Sequence, residues 1–216
     1  LGKYIKANTD CKVIFNGDGS DELTGGYLYF HKAPNQYEFD RECRRLLHQI
    51  HYFDVLRSDR CISTHGLEPR TPFLDRGLVD FYLSIPKEFR CHNQNGQCEK
   101  YLLRKAFEGY LPDEVLWRKK EAFSDGVSGL QRSWYEIIQE NIDNLPSSEQ
   151  SDMHEFIQMR CNNTHNKPTT NEQKYYRYLF EKHYEGCEKI IPHFWMPKYV
   201  DAVDSSARTL SVYNTK

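Results

Sequence analysis

The sequence predicts a mostly α-helical chain with one short parallel strand near its N-terminus, the helical far side of a larger α/β sheet domain. Three observations predict this. Lys12-Val13-Ile14-Phe15 is a short, mostly apolar run bounded by turn residues, which suits a buried parallel strand. Between Glu38 and Ile62 the apolar residues Phe39, Cys43, Leu46, Leu47, Ile50, Phe53 and Leu56 recur at steps of three and four, as on one helix face. The other periodic stretches are helical too, and one strand among many helices is an incomplete sheet.

The elements follow in order. Leu1 to Ala7 reads as the end of a helix closed by Asn8 and Asp10, and the strand runs directly into Asn16-Gly17-Asp18-Gly19-Ser20-Asp21-Glu22 and Gly25-Gly26. After the long helical stretch, Pro72 is placed as a first-turn proline, with Leu78, Val79, Tyr82 and Leu83 on the buried side and Pro86 ending the helix. Arg90 to Gln97 is a polar turn around Asn95-Gly96. Glu99 to Glu108 reads as helix with Leu102, Leu103, Ala106 and Phe107 inward, and a short helix follows Pro112. Leu130 to Ile142, Asp152 to Cys161 and Asn171 to Tyr184 are three more helices; Asn162 to Thr170 is a loop, and the chain is irregular from Pro192 onward. The expected division is one region over residues 1–200 and an irregular tail over 201–216, with Ser205 to Lys216 disordered.

Composition narrows the function classes. The 216 residues suit one globular domain, 38% hydrophobic and 14% aromatic. With 29 basic against 31 acidic residues, the net charge of −2 gives no general attraction to nucleic acid or anionic lipid. No apolar run is long enough for a transmembrane helix, and Leu1-Gly2-Lys3-Tyr4-Ile5-Lys6 lacks the features of a secretory signal. The seven cysteines stand at irregular gaps without Cys-x-x-Cys, which favours reduced thiols in the cytosol over a disulfide framework or a zinc site.

The chemistry concentrates after the strand. A glycine-broken acidic loop at the carboxyl end of a parallel strand lies where open α/β sheets bind ligands. Gly17 and Gly19 bring backbone amides close to an adenine nucleotide or permit unusual dihedrals. Asp18, Asp21 and Glu22 put up to three carboxylates in one turn, a spacing that suits magnesium, which takes one or two protein carboxylates beside phosphate oxygens. The alternative is a solvated acidic turn that caps a helix through Ser20 or Asp21. Neither the Walker loop nor the Rossmann glycine triplet is present. His48, His51 and Asp54 imitate a metal group at helical spacing, but a partly buried helix face explains them better.

Four blocks of sequence resemble the asparagine synthetase family. Asn16-Gly17-Asp18-Gly19-Ser20-Asp21-Glu22-Leu23-Thr24-Gly25-Gly26-Tyr27 is similar to its Ser-Gly-Glu-Gly-Ala/Ser-Asp-Glu-x-x-Gly-Gly-Tyr, and Tyr29 to Pro34 continues the likeness. Gly66 to Asp75 resembles Gly-x-Glu-x-Arg-x-Pro-Phe-Leu-Asp, and Trp117 to Val127 resembles Trp-Arg-x-Lys-Glu-Gln-Phe-Ser-Asp-Gly-Val. The tail Trp195 to Lys198 and Asp204 to Leu210 is similar to the eukaryotic-type ending.

The resemblance implies the C-terminal part of a synthetase domain with the ATP-pyrophosphatase fold, of the adenine nucleotide α-hydrolase kind. It implies an ATP-consuming, magnesium-dependent ligase that activates aspartate as β-aspartyl-AMP and attacks it with ammonia from glutamine. It leaves open a homodimer of the full-length enzyme. By that likeness Asn16, Gly17 and Gly19 touch the nucleotide, Asp18 matches a Glu tied to the acyl-adenylate, Asp21 lies near magnesium, and Lys120 balances charge on the phosphates. Such roles make physical sense. Adenylation builds charge on phosphoryl groups, which a lysine stabilises, and amide formation releases protons that a carboxylate accepts. Arg70 is placed as a carboxylate or phosphate ligand oriented by Glu68; the alternative for both is an internal ion pair bracing the turn before Pro72.

The sequence also departs from the family pattern. Ser-Gly-Gly-x-Asp-Ser, the pyrophosphate-holding loop, does not occur in it, nor does a glutaminase segment. Asn16 stands for Ser, Asp18 for Glu and Ala122 for Gln. Shortening Glu to Asp withdraws the carboxylate by roughly 1.5 Å, and about 1 Å of misplacement can cost a hundredfold in rate. Two expectations follow. In one, the chain is part of a longer synthetase and is inactive without the missing loop; in the other, it is a truncated, non-catalytic relative acting as a binding or regulatory module. The lone strand is expected to expose an edge and an apolar face.

Overall fold

The structure is a computed structural model and describes residues 1–121, 132, 134–161, 165–202 and 205. These group into two compact units, Leu1–Lys120 with the residues from Met196 onward, and Glu121–Trp195. Residues 122–127 of the third family block, with Ala122, lie outside the described residues, as do 162–164 of the expected loop and 204 and 206–210 of the tail motif.

The described residues of the first unit hold two strands, where one was expected. Strand β1 (Val13–Phe15) pairs in parallel with β2 (Glu68–Arg70), in the register Val13↔Glu68, Ile14↔Pro69 and Phe15↔Arg70. The pairing survives Pro69, which lacks an N–H, because Glu68 N–H donates to the Lys12 carbonyl at 2.8 Å and Asn16 N–H donates to the Arg70 carbonyl at 3.0 Å. Nor is β1 buried. Val13 is 42% and Phe15 75% exposed, so one face of this two-stranded sheet lies open among the described residues.

Helix α1 (Gly2–Asn8) precedes β1, and α2 (Ser20–Thr24) begins one turn beyond it. The Gly25-Gly26 turn leads into a 3-10 turn over Leu28–Lys32, then α3 (Gln36–Gln49), whose first N–H groups are capped by the Asn35 side chain. The helical pattern between Glu38 and Ile62 is carried by two helices. A 3-10 turn at Ile50–Tyr52 and a non-helical Phe53 separate α3 from α4 (Asp54–Ser63), where the run His51-Tyr52-Phe53 has weak helix preference.

Pro72 opens a 3-10 turn (Pro72–Leu74), one turn before α5 (Arg76–Ser84), which Asp75 caps through Leu78 N–H. On α5 only Tyr82 is fully buried, and Leu78 is exposed. Short helices α6 (Lys87–Arg90), α7 (Tyr101–Ala106) and α8 (Asp113–Leu116) follow. Ala106 and Phe107, expected inward, are exposed because α7 ends at Ala106 and the chain turns outward there.

The core of this unit is aromatic and sits directly under the glycine loop. Tyr29 stacks on Phe30 at 4.8 Å, Phe30 meets Phe39 edge-on at 4.9 Å, and Phe39 meets the buried His92 at 5.1 Å. Residues 196–202 pack with this unit: Tyr199 hydroxyl donates to the Glu38 carbonyl at 2.8 Å, and Lys198 lies 3.4 Å from the Glu38 carboxylate.

The second unit is helical in its described residues: α9 (Trp134–Asp143), α10 (Ser147–Arg160) and α11 (Asn171–His183), with a 3-10 turn at Glu188–Ile190. Thr170 and Gln173 form a reciprocal capping box at the start of α11. Phe156 meets Tyr178 edge-on at 5.8 Å, joining α10 to α11. The seven cysteines are all unbridged.

Candidate anion-handling site at the strand end

The loop after β1 is built by its glycines and by one side chain. Asn16 Oδ1 accepts the Asp18 N–H at 3.2 Å, which closes the turn, while its Nδ2 is buried with no hydrogen-bond partner among the described residues. Gly19 sits at φ 87°, and a Cβ there would lie 2.2 Å from Leu74, so only glycine starts α2. The helix has no side-chain cap, so neither Ser20 nor Asp21 plays the capping role considered from sequence. A Cβ on Gly17 would meet nothing within 4 Å. None of the described residues gives a steric reason for glycine there.

The three carboxylates of this turn go to three different places. Asp18 accepts a hydrogen bond from Ser58 of α4. Glu22, buried on the inner side of α2, accepts the Tyr27 hydroxyl at 2.5 Å, and the same hydroxyl lies 2.9 Å from Asp54. Burial, with a smaller push from Asp54, raises the Glu22 carboxyl to about 7. Asp21 meets two lysines. Its Oδ2 is 3.2 Å from Lys120 Nζ, and its Oδ1 is 2.8 Å from Lys100 Nζ, an ion-pair contact out of line for a hydrogen bond. Burial works to raise the Asp21 pKa, but Lys100 and then Lys120 outweigh it and hold it below the ordinary carboxylate value.

Lys100 was not legible in the sequence. It lies at φ 59°, ψ 24°, a left-handed conformation that costs about 1–3 kcal/mol for a non-glycine residue, and its ammonium group also donates to Ser20 Oγ at 2.9 Å. Gly26 makes the approach feasible, since a Cβ there would lie 2.1 Å from Asp21 Oδ1 and 2.5 Å from Lys100 Cε. The side chains of Asp21, Lys100 and Lys120 are 18–20% exposed, so the cluster is partly dry yet open to a small ligand.

Glu68 and Arg70 are not drawn into this cluster. They pair with each other, Arg70 Nε to Glu68 Oε1 at 2.7 Å, and both side chains are more than half exposed. Asp18 likewise makes no contact with Lys120 in the bonds described; its partner is Ser58. Among the described residues no group of three or more His, Cys, Asp or Glu could hold a metal ion. The spread of Asp18, Asp21 and Glu22 is the physical reason. Asp21, with one buried oxygen lacking an aligned hydrogen bond, fits a magnesium ion as a single protein ligand whose other oxygens come with a phosphate, and does not make a protein-built cage. A hollow of about 360 Å³ is lined by Leu47, Leu74 and Val79, and one of about 180 Å³ by Ile138 and Tyr175; neither is lined by Asp21, Lys100 or Lys120.

Two lysines converge on Asp21 just past a glycine-rich loop at the carboxyl end of a parallel strand. Open α/β sheets bind their ligands at this position. A family model described as Asparagine synthase matches residues 2–40 and 33–181, and the chain belongs to that family. It is 48% identical over 221 residues to "Asparagine synthetase [glutamine-hydrolyzing]" of Gallus gallus, 47% over 221 residues to that of Rattus norvegicus and 48% over 217 residues to that of Homo sapiens. Each alignment covers 100% of this chain and 37% of the relative. No helix among the described residues is long and apolar enough to cross a membrane.

Proposed function

We propose that the chain supplies part of an ATP-dependent synthetase site that amidates aspartate to asparagine through β-aspartyl-AMP, within a longer, glutamine-dependent enzyme. The observation that carries this reading is the convergence of Lys100 and Lys120 on Asp21, the latter across 99 positions of sequence. In it the two ammonium groups turn from Asp21 to the phosphates, where they stabilise the charge of adenylate formation and of the leaving pyrophosphate. Asn16, with its unpartnered Nδ2, and the open face of Gly17 meet the nucleotide, and Gly19 fixes the turn that presents them. Asp18 accepts a proton as ammonia attacks, and Glu68 with Arg70 completes the rim. Asp21 would hold magnesium, which when bound there supplies neutralising charge beside the phosphates.

On this reading β1 and β2 form one edge of a larger parallel sheet of the adenine nucleotide α-hydrolase kind, and the enzyme is cytosolic. The open face of Val13 and Phe15 supports that larger sheet. Residues 1–200 then form one synthetase region and 201–216 its tail, in an enzyme whose oligomer is a homodimer.

The test is aspartate-dependent exchange between ATP and pyrophosphate in the full-length protein. Lys120→Ala is expected to lower it about 10²–10³-fold, the typical cost of one transition-state donor. Unchanged exchange removes Lys120 from the chemistry. The engagement of Asp18 by Ser58 favours a second reading, a non-catalytic relative that binds nucleotide. Binding of ATP without aspartate-dependent exchange in the full-length protein would favour it.

A further inference from the structure

The segment that carries Lys120 has no regular structure: residues 118–120 are neither helix nor strand. What fixes it is a pair of side chains, Glu99 just before α7 and Arg104 within it. Arg104 Nη1 donates to the carbonyls of Leu116 and Arg118, both at 2.8 Å, and Arg104 Nη2 donates to Glu99 Oε1 at 2.9 Å. The same Glu99 oxygen accepts the Lys120 backbone N–H at 3.1 Å. The other carboxylate oxygen faces His31 Nε2 at 3.4 Å.

We propose that Glu99, braced by Arg104, is a positioning residue that holds the Lys120 backbone where its ammonium group reaches the Asp21 site. Three bonds from one ion pair span residues 116–120, and the two side chains are only 8% and 12% exposed, so water competes little for them. Burial opposes ionisation of Glu99, but the bonds from His31, its own backbone and Arg104 keep its carboxyl below the ordinary range, which suits a permanent acceptor. The left-handed Lys100 sends consecutive side chains apart, Glu99 toward the Lys120 backbone and Lys100 toward Ser20 and Asp21. The two lysines of the site therefore share one foundation, and Glu99 carries only one of them. The inference rests on the proposed function for what Lys120 does, and on the geometry alone for where it stands.

The test is trace acetylation with acetic anhydride, read lysine by lysine by peptide mass spectrometry, on wild type, Glu99→Ala, Glu99→Gln and Arg104→Lys. In Glu99→Ala the labelling of Lys120 rises severalfold while that of Lys100 holds. Glu99→Gln, which retains an oxygen for the Lys120 N–H, regains part of the protection. Aspartate-dependent exchange in Glu99→Ala falls about a hundredfold in kcat with little change in KM, as expected of about 1 Å of misplacement. Unchanged Lys120 labelling in Glu99→Ala, or an equal rise at Lys100 and Lys120, overturns the proposal. Should Glu99→Ala fail to fold, Arg104→Lys carries the test, because it keeps charge beside Glu99 and gives up the fork to Leu116 and Arg118; unchanged Lys120 labelling there overturns it equally. If labelling shifts as expected while wild type shows no exchange, Glu99 positions Lys120 and the proposed reaction is the part that fails.

Discussion

Strands β1 and β2 lie side by side, yet the charges associated with them are treated in opposite ways. Past β1, Asp21 sits between two lysines at about one-fifth exposure, with Gly26 shaved down to let them approach. On β2, Glu68 and Arg70 make an equally close contact in open solvent. At about 4 Å a unit charge pair is worth ~1 kcal/mol in water and ~4 kcal/mol at an effective dielectric near 20. The first region thus stores electrostatic energy that a ligand can redirect, whereas the second, as it stands, stores almost none. A close ion pair in the sequence motif says little about function until its burial is known.

The largest break in this comparison is Asp21→Asn. It leaves Lys100 and Lys120 facing each other without the anion that Coulombically justifies them. Breaking a buried pair costs about 3–5 kcal/mol, and partial exposure brings the expectation to about 2–4 kcal/mol in urea unfolding. A loss below about 1 kcal/mol would place the pair with ordinary surface bridges.

His92 gives the next effect, and it depends on pH. Its Nε2 donates to the Gly25 carbonyl at 2.9 Å, which leaves Nδ1 as the bare nitrogen, buried and without a partner among the described residues. Burial lowers its pKa from 6.5 to about 4. A histidine with a depressed folded pKa binds its proton more readily when unfolded. Its contribution to stability is therefore complete above pH 6.5 and is lost as pH falls toward about 4, by roughly 3 kcal/mol. His92→Gln, which can still donate to Gly25, is expected to flatten the urea midpoint over that window; an undiminished slope would assign the acid sensitivity to another group. Gly26→Ala follows at about 1–3 kcal/mol, the cost of overpacking, because the added methyl must displace Asp21 or Lys100. Thermal unfolding measures it, and a neutral substitution would mean that the loop yields at no cost.

Much of this was legible because it is local. The apolar run of β1, the three- and four-residue steps of α3 and the glycine loop are each written within a few neighbouring residues. Strand β2 was not, because Glu68-Pro69-Arg70 has no apolar alternation, and its pairing depends on which N–H and carbonyl groups face Lys12 and Asn16. The turn's three carboxylates suggested a metal site from spacing, but successive helical positions point in different directions, and α2 sends Asp21 to the lysines and Glu22 to Tyr27. Lys100 and Glu99 reach the site through tertiary folding and a left-handed backbone residue, neither of which leaves a periodic signal. Lys120 was found only through the family resemblance, since by charge pattern alone it belongs to an ordinary basic run.

The smallest expected effect tests the open side of the comparison. A double-mutant cycle on Glu68→Ala and Arg70→Ala should give a coupling of about 0.2–1 kcal/mol that fades with added salt, as for exposed pairs generally. The chain spans 37% of the length of its relatives, and the neighbouring Phe15 is 75% exposed on the same two-stranded sheet. If the same cycle in the full-length protein gives more than about 1.5 kcal/mol and resists salt, the pair is desolvated there, and the solvent-exposed ion pair becomes a buried one like that of Asp21. Equal coupling in both forms would mean that Glu68 and Arg70 stay solvent-exposed in the longer protein and contribute little to the fold.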